Sequence, residues 1–306
     1  MQKLSNRITI RGKIYERDQV RAATVLLIPT MVVILFLFII PAVQVVWYSF
    51  TNFNLTSGQA SFYGIKNFTY ILTDDKFMKA LGNTFFFAFV KLAIDTTLAL
   101  ALALMLDAHI PVKRLLRSVY FAPVIVPVVA SSLIWIWFFD PGIGPFNQIL
   151  SSLKLPTSQW LYHENSALMS IIIFSVWKGV GYNMILFLAG LQNIPDSYID
   201  AAKVDGANNW QMLVKIKLPL LRPIVAFVVM IGIINAFKVF AEINVMTPKG
   251  GPLYSTALMV VYIYEQAFQN AKMGRASAAS LLLFIIIMIV TLIQRRLGGK
   301  KTIDLA

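Results

Sequence analysis

Six apolar stretches, 22–50, 82–106, 118–139, 167–191, 223–246 and 277–294, alternate with polar stretches along the chain. Crossing the hydrocarbon of a bilayer takes about 20 apolar residues in a helix. Each stretch therefore predicts a transmembrane helix, the last and shortest borrowing from residues 273–276. The expected fold class is all-α, a polytopic membrane protein of six helices with both termini on one side. Residues 257–268 are apolar and aromatic but too short to cross, which predicts a helix lying at the outer interface or re-entering. The small residues Ala276, Ser277, Ala278, Ala279 and Ser280 suit close helix packing in lipid.

Composition narrows the class further. Of 306 residues, 58% are hydrophobic and only 13% charged, which excludes a soluble domain of this size. With no cysteine, thiolate metal sites and cysteine nucleophiles are excluded, and two distant histidines, His109 and His163, argue against a histidine metal site. The net charge of +13 suggests nucleic acid until the bases are counted by loop. Loops on the side of the N-terminus carry 17 Lys and Arg, and the opposite loops carry 7. That asymmetry places both termini in the cytoplasm and leaves no call for a nucleic-acid partner. The basic start leads into an apolar run too long for a cleaved signal core.

The polar stretch between the fourth and fifth runs is the most distinctive. Residues 197–204 are helix-prone, with Ala201 and Ala202 side by side. Asp205-Gly206 breaks that helix, because glycine accepts the positive φ of a helix end. Asn208 and Gln211 form a capping box that restarts a helix. Trp210, Met212, Leu213 and Ile216 give it an apolar stripe, and Leu218-Pro219 is expected to close it.

This array, Asp200-Ala201-Ala202, Gly206 and Ile216-Lys217-Leu218-Pro219, resembles the cytoplasmic coupling segment of ABC-importer permeases, with Asp where the pattern has Glu. Tyr63-Gly64, Asn67-Phe68, Phe77, Asn83-Thr84, Leu191-Gln192, Ile194-Pro195, Met246-Thr247 and Gly250-Gly251-Pro252 are similar to the carbohydrate-uptake branch, of maltose and glycerol-phosphate type. The resemblance runs from about Gly64 to Leu297. It implies the type I importer fold: a cytoplasmic tail (1–21), a first transmembrane helix (22–50), an extracytoplasmic loop (51–81), a transmembrane domain (82–297) with its coupling segment at 197–219, and a cytoplasmic tail (298–306). It further implies that Asp200, Ala201, Ala202, Asp205, Gly206, Ile216, Leu218 and Pro219 dock on an ATPase. The implied partners are a second permease subunit of a different chain, two ATPase subunits and an extracytoplasmic solute-binding protein. The implied location is a bacterial or archaeal plasma membrane.

Charged groups inside the apolar runs are costly, roughly 2.5–3.5 kcal/mol each on insertion scales, and usually face a cavity or a partner. Lys91 and Asp95 are four apart and suited to a local ion pair. On the fourth run, Trp177 and Tyr182 offer aromatic faces, and Lys178 and Asn183 offer donors, the mixture that binds sugars. The resemblance carries a substrate-lining role to Ser175, Trp177, Lys178 and Gly179. Gly179 and Gly181 invite a kink. Helix packing by the glycines and a snorkelling lysine is the competing reading. On the fifth run, steps of three and four put Asn235, Lys238 and Glu242 on one helical face, either along the pathway or in an interhelical network.

The chain has no Gly-x-x-x-x-Gly-Lys-Ser/Thr loop, and apart from Asp95 its aspartates fall in loops. No catalysis and no cofactor of its own are expected; ATP and magnesium belong on the partner ATPases. The favoured function is the permease subunit of an ATP-driven importer of a sugar. An ion-coupled secondary transporter is the alternative, although no convincing internal repeat supports it. A scaffold without transport comes third, since it has no use for polar groups in the spans.

Overall fold

The computed structural model describes residues 7–10, 13–108 and 112–297. His109 and the tail 298–306 lie outside them. A small antiparallel hairpin, β1 (Arg7–Ile10) and β2 (Lys13–Glu16), pairs Arg7 with Glu16 and Ile10 with Lys13, an addition to the expected tail. The first run is helical throughout, as α1 (Arg17–Ile34), one wide π turn (Leu35–Ile39) and α2 (Ile40–Ser49). The wide turn directly precedes Pro41, whose ring crowds the preceding turn and whose nitrogen has no hydrogen to donate. Its apolar window buries nothing within the chain.

After α3 (Lys66–Leu72), the second run is one long helix, α4 (Asp75–Asp107), capped by the Asp74 carboxylate on the Lys76 amide. The third run is not one straight helix. It forms α5 (Lys113–Ile125) and α6 (Val128–Phe138), which meet at 100°. Proline at 127 drives Val126 to an extended ψ of 133°, and that ends the helix. The short α7 (Pro145–Ser152) leads to the fourth run, α8 (Glu164–Gln192). α8 is continuous, so its glycines relieve contacts and do not break the helix. A Cβ at Gly181 would overlap the Tyr120 carbonyl of α5.

The polar stretch forms α9 (Asp196–Val204), α10 (Asn209–Met212), a π turn (Leu213–Lys217) and α11 (Leu218–Leu220). The helix therefore passes through Leu218-Pro219 before it ends, the wide turn again making room for a proline. A 63° bend leads into α12 (Arg222–Phe237). The fifth run does not continue as one helix: Lys238–Phe240 is non-helical and α13 (Ala241–Met246) follows. Phe237 packs edge-on against Phe85, whereas Phe240 lies against the Tyr264 ring. The two aromatics are held by different neighbours, and the helix parts between them. Beyond it, α14 (Met259–Tyr264) buries one face, with Met259 and Tyr262 both inaccessible and Tyr264 exposed. α15 (Met273–Leu297) starts where the sixth run was expected to borrow its residues. By length and composition the described residues provide four membrane-length helices, or six when each bent pair counts as one span.

Asn67, Asn83, Thr84, Gly250 and Gly251 of the sequence pattern hold loops. Asn67 donates to the Ser49 and Thr51 carbonyls at 2.9 and 2.7 Å. Asn83 donates to the Tyr254 and Ala257 carbonyls, and Thr84 accepts from the Met259 amide. Gly250 and Gly251 both have positive φ, and a Cβ on Gly251 would sit 2.6 Å from the Thr256 hydroxyl oxygen. Tyr254 donates to Glu265 at 2.9 Å, and burial pushes its phenol pKa up, which keeps it a donor. The small residues at the start of α15 are used within the chain: Ala278 and Ala279 are fully buried, and Gly274 passes so close to the Thr51 carbonyl that a Cβ would overlap it.

Two apolar cores fill the bundle. One surrounds Phe87, Trp135, Phe174 and Phe237; the other surrounds Ala99, Met184, Phe187 and Leu221. Along α4 and α8, a polar layer separates them.

Candidate functional site

The end of the bundle between α8 and α12 carries an exposed elbow. Asp205 caps α9, Gly206 turns at φ +76°, and the Gly206 and Ala207 amides return to the Lys203 and Ala202 carbonyls at 3.1 and 2.9 Å. Those two bonds satisfy carbonyls that a helix end leaves open. The next helix begins with the capping box in full: Gln211 N donates to Asn208 Oδ1 at 2.8 Å, and Asn208 N donates to Gln211 Oε1 at 3.0 Å. A concavity of about 660 Å³ opens between the two helices, lined on one side by Tyr198, Ala201 and Ala202 and on the other by Gln211, Lys215 and Ile216. Nothing lies within 4 Å of a Cβ built on Gly206. Asp200 pairs with Lys203 at the surface, where such a pair contributes little.

The elbow is tied to the bundle at two places. Lys217 Nζ lies 2.7 Å from Asp107 Oδ2 at the end of α4. Gly190 of α8 meets Leu221 and Ile224 so closely that a Cβ would collide with both side chains. Leu218 and Pro219 belong to the stem that enters α12.

The polar layer lies farther along the same helices. Lys91 Nζ and Asp95 Oδ2 pair at 2.8 Å, and Asn183 of α8 donates to the same oxygen at 3.1 Å. Asp95 is fully buried. Gly179 faces this pair, a Cβ there lying 3.5 Å from both charged atoms. Lys178 donates to the Pro123 carbonyl at 3.0 Å and the Val126 carbonyl at 2.6 Å. Pro123 is four residues before Pro127, so its carbonyl is the one that loses its helical donor to that proline. The Lys178 ammonium takes the missing donor's place and pins the bend of the third run to α8. Ser175 is buried beside Glu242, and Lys91 and Lys178 lie close enough for their charges to act on Glu242.

Trp177 belongs to an aromatic cluster, 5.0 Å from Trp135 and 6.1 Å from Phe174, yet remains 37% exposed; Tyr182 is 45% exposed. Asn235 and Lys238 are exposed at the end of α12. The expected stripe of Asn235, Lys238 and Glu242 on one helical face is not formed, because Glu242 sits on α13 beyond the break. Instead Glu242 joins the group around Ser175 and Lys178. Lys91 and Asp95 form the local pair that their spacing predicts, whereas no spacing in the sequence points to Asp107 as the partner of Lys217. Charge inside an apolar run was the available signal for the first two.

Comparison with known proteins identifies the family. The multiple sugar-binding transport system permease protein MsmF of Streptococcus mutans is 34% identical over 277 residues, covering 90% of this chain and 94% of that protein. The sn-glycerol-3-phosphate transport system permease protein UgpA of Yersinia pseudotuberculosis is 29% identical over 279 residues, covering 90% and 94%. Among solved structures, a chain of a bacterial ABC transporter involved in the import of the acidic polysaccharide alginate superposes with a TM-score of 0.81 at 23% identity, covering 92% of this chain and 96% of that one. Residues 95–302, which contain both the elbow and most of the polar layer, match the binding-protein-dependent transport system inner membrane component family, and the chain belongs to it.

Proposed function

We propose that this chain is the permease subunit of an ATP-driven importer of carbohydrate. It works with a second, different permease chain, two ATPase subunits that carry ATP and magnesium, and an extracytoplasmic binding protein that delivers the sugar. The chain itself catalyses nothing. Both termini and the elbow face the cytoplasm, in keeping with the excess of Lys and Arg on that side.

One observation carries the reading. Two short helices, set at an angle by Gly206, frame an open concavity with alanines on its wall. Alanines let a partner approach the backbone, and an unobstructed Gly206 leaves the outer side of the bend free. A stroke delivered to α9 passes through Lys217 and Asp107 to α4, and through Gly190 to the bend before α12. Those helices carry Lys91, Asp95 and Asn235. The sugar path runs past Ser175, Trp177, Gly179, Tyr182, Asn183, Asn235, Lys238 and Glu242, where ring faces and donors occur together. Lys178 shapes this wall by holding the bend of the third run.

The experiment is co-purification followed by cross-linking. With Ala201→Cys in the assembled complex, a short bifunctional reagent joins this chain to an ATPase subunit. A complex that contains an ATPase but yields no such product would refute the docking site. Titration of sugars against the co-purified binding protein then identifies the cargo.

A further inference from the structure

A second cavity opens on the side of α4 that faces α12 and α15. Val225, Val229 and Ile233 of α12 face Leu92 and Leu100 of α4 and Ile293 of α15 across a groove of about 940 Å³. Arg222 and Gln294 close the end nearest the elbow. Gln294 is engaged with the Ala226 carbonyl at 3.0 Å. Arg222 is exposed, and among the described residues no carboxylate lies within ion-pair distance of it. From Arg222 to Ile233 the groove follows eleven residues of helix, about 16 Å at 1.5 Å per residue. That is about one leaflet of a hydrocarbon core roughly 30 Å thick.

We propose that this groove is a binding site for an anionic glycerophospholipid, its acyl chain lying along α12 and its phosphate on Arg222. The shape argues for a chain of leaflet length and not for a compact solute. A guanidinium gives a phosphate two parallel donors. The elbow end is the cytoplasmic end under the proposed function, and anionic lipid in that leaflet draws basic groups to it. A lipid here would touch α4, α12 and α15 at once and fill a space beside the joint between elbow and bundle.

The test is native mass spectrometry of the complex extracted in mild detergent, with phosphatidylglycerol and phosphatidylcholine as probes. The wild-type complex should retain phosphatidylglycerol in preference to phosphatidylcholine. Arg222→Gln should lower that retention about fivefold, the effect expected of one basic residue at a membrane surface, and Arg222→Lys, which keeps the charge but not the paired donors, should restore part of it. Equal retention by wild type and Arg222→Gln would overturn the proposal. So would efficient cross-linking of Val229→Cys to the second permease, which would make the groove a subunit contact. Lipid retention is read without transport, so a failure of the importer reading would appear separately, as absent ATP-driven uptake.

Discussion

The elbow and the polar layer are built in opposite ways. The elbow is exposed, and short-range bonds hold its shape: Gly206 and Ala207 reach back three and five residues, and Asn208 and Gln211 cap one another. The polar layer is buried, and its bonds join distant parts of the chain. Asn183 reaches Asp95 across 88 residues and Lys178 reaches Pro123 across 55. The elbow keeps its geometry through its own bonds, as the proposed docking surface would require. A surface inside the bundle exists only when several helices are correctly assembled. Substitutions in the elbow should therefore affect coupling more than folding, and substitutions in the polar layer should affect both.

The strongest effect on stability is expected from breaking the Lys91–Asp95 pair on one side. Asp95→Leu leaves a lysine that is only 12% exposed without its counter-charge, a loss of about 3–5 kcal/mol. The double variant Lys91→Met/Asp95→Leu should recover most of it, and thermal unfolding of the purified complex reads both. A single variant as stable as wild type would remove the layer from the folding account. Next comes Lys178→Met. It strips two carbonyls at the third-run bend of their donor, at roughly 1–3 kcal/mol for the partly buried Pro123 carbonyl and little for the exposed Val126 one. It should loosen α5 against α8, seen as faster amide exchange over residues 113–138. Protection unchanged there would show that the proline bend holds itself.

Asn208→Ala should cost about 1 kcal/mol, the usual worth of a helix cap, and reduce uptake more than it reduces expression. Smallest is Lys217→Met. Both members of its pair are partly exposed, so stability should fall by less than ~1 kcal/mol. If Lys217 links elbow to bundle, ATP hydrolysis will continue while uptake per ATP declines. A proportional fall in both would sink that link.

The same contrast explains what could be read from the sequence. The double alanine, Gly206, the capping box and the start of α15 all depend on neighbours a few residues away, and they were legible. The 100° bend at Pro127 was missed because Val124-Ile125-Val126 on one side and Val128 on the other read as continuous apolar surface. The break after Phe237 is not legible because no glycine or proline marks it; Phe237 and Phe240, on its two sides, pack against different rings. The role of Lys178 depends on a carbonyl orphaned elsewhere in the chain, which no local pattern records. Asn83, Thr84 and Gly251 were recognised as a pattern, but the loop contacts they make appear only in three dimensions.

The most direct test of the central claim, that a self-supporting elbow passes the stroke of an ATPase into the bundle, is ATP-driven uptake by Gly206 variants that assemble normally. A Cβ at this position meets no neighbour, and only the left-handed backbone resists it, at roughly 1–2 kcal/mol for most residues. Asparagine tolerates that conformation, so Gly206→Asn should keep most of the uptake. Gly206→Val should abolish it while leaving membrane insertion and subunit assembly unchanged. Normal uptake by the valine variant would contradict the account.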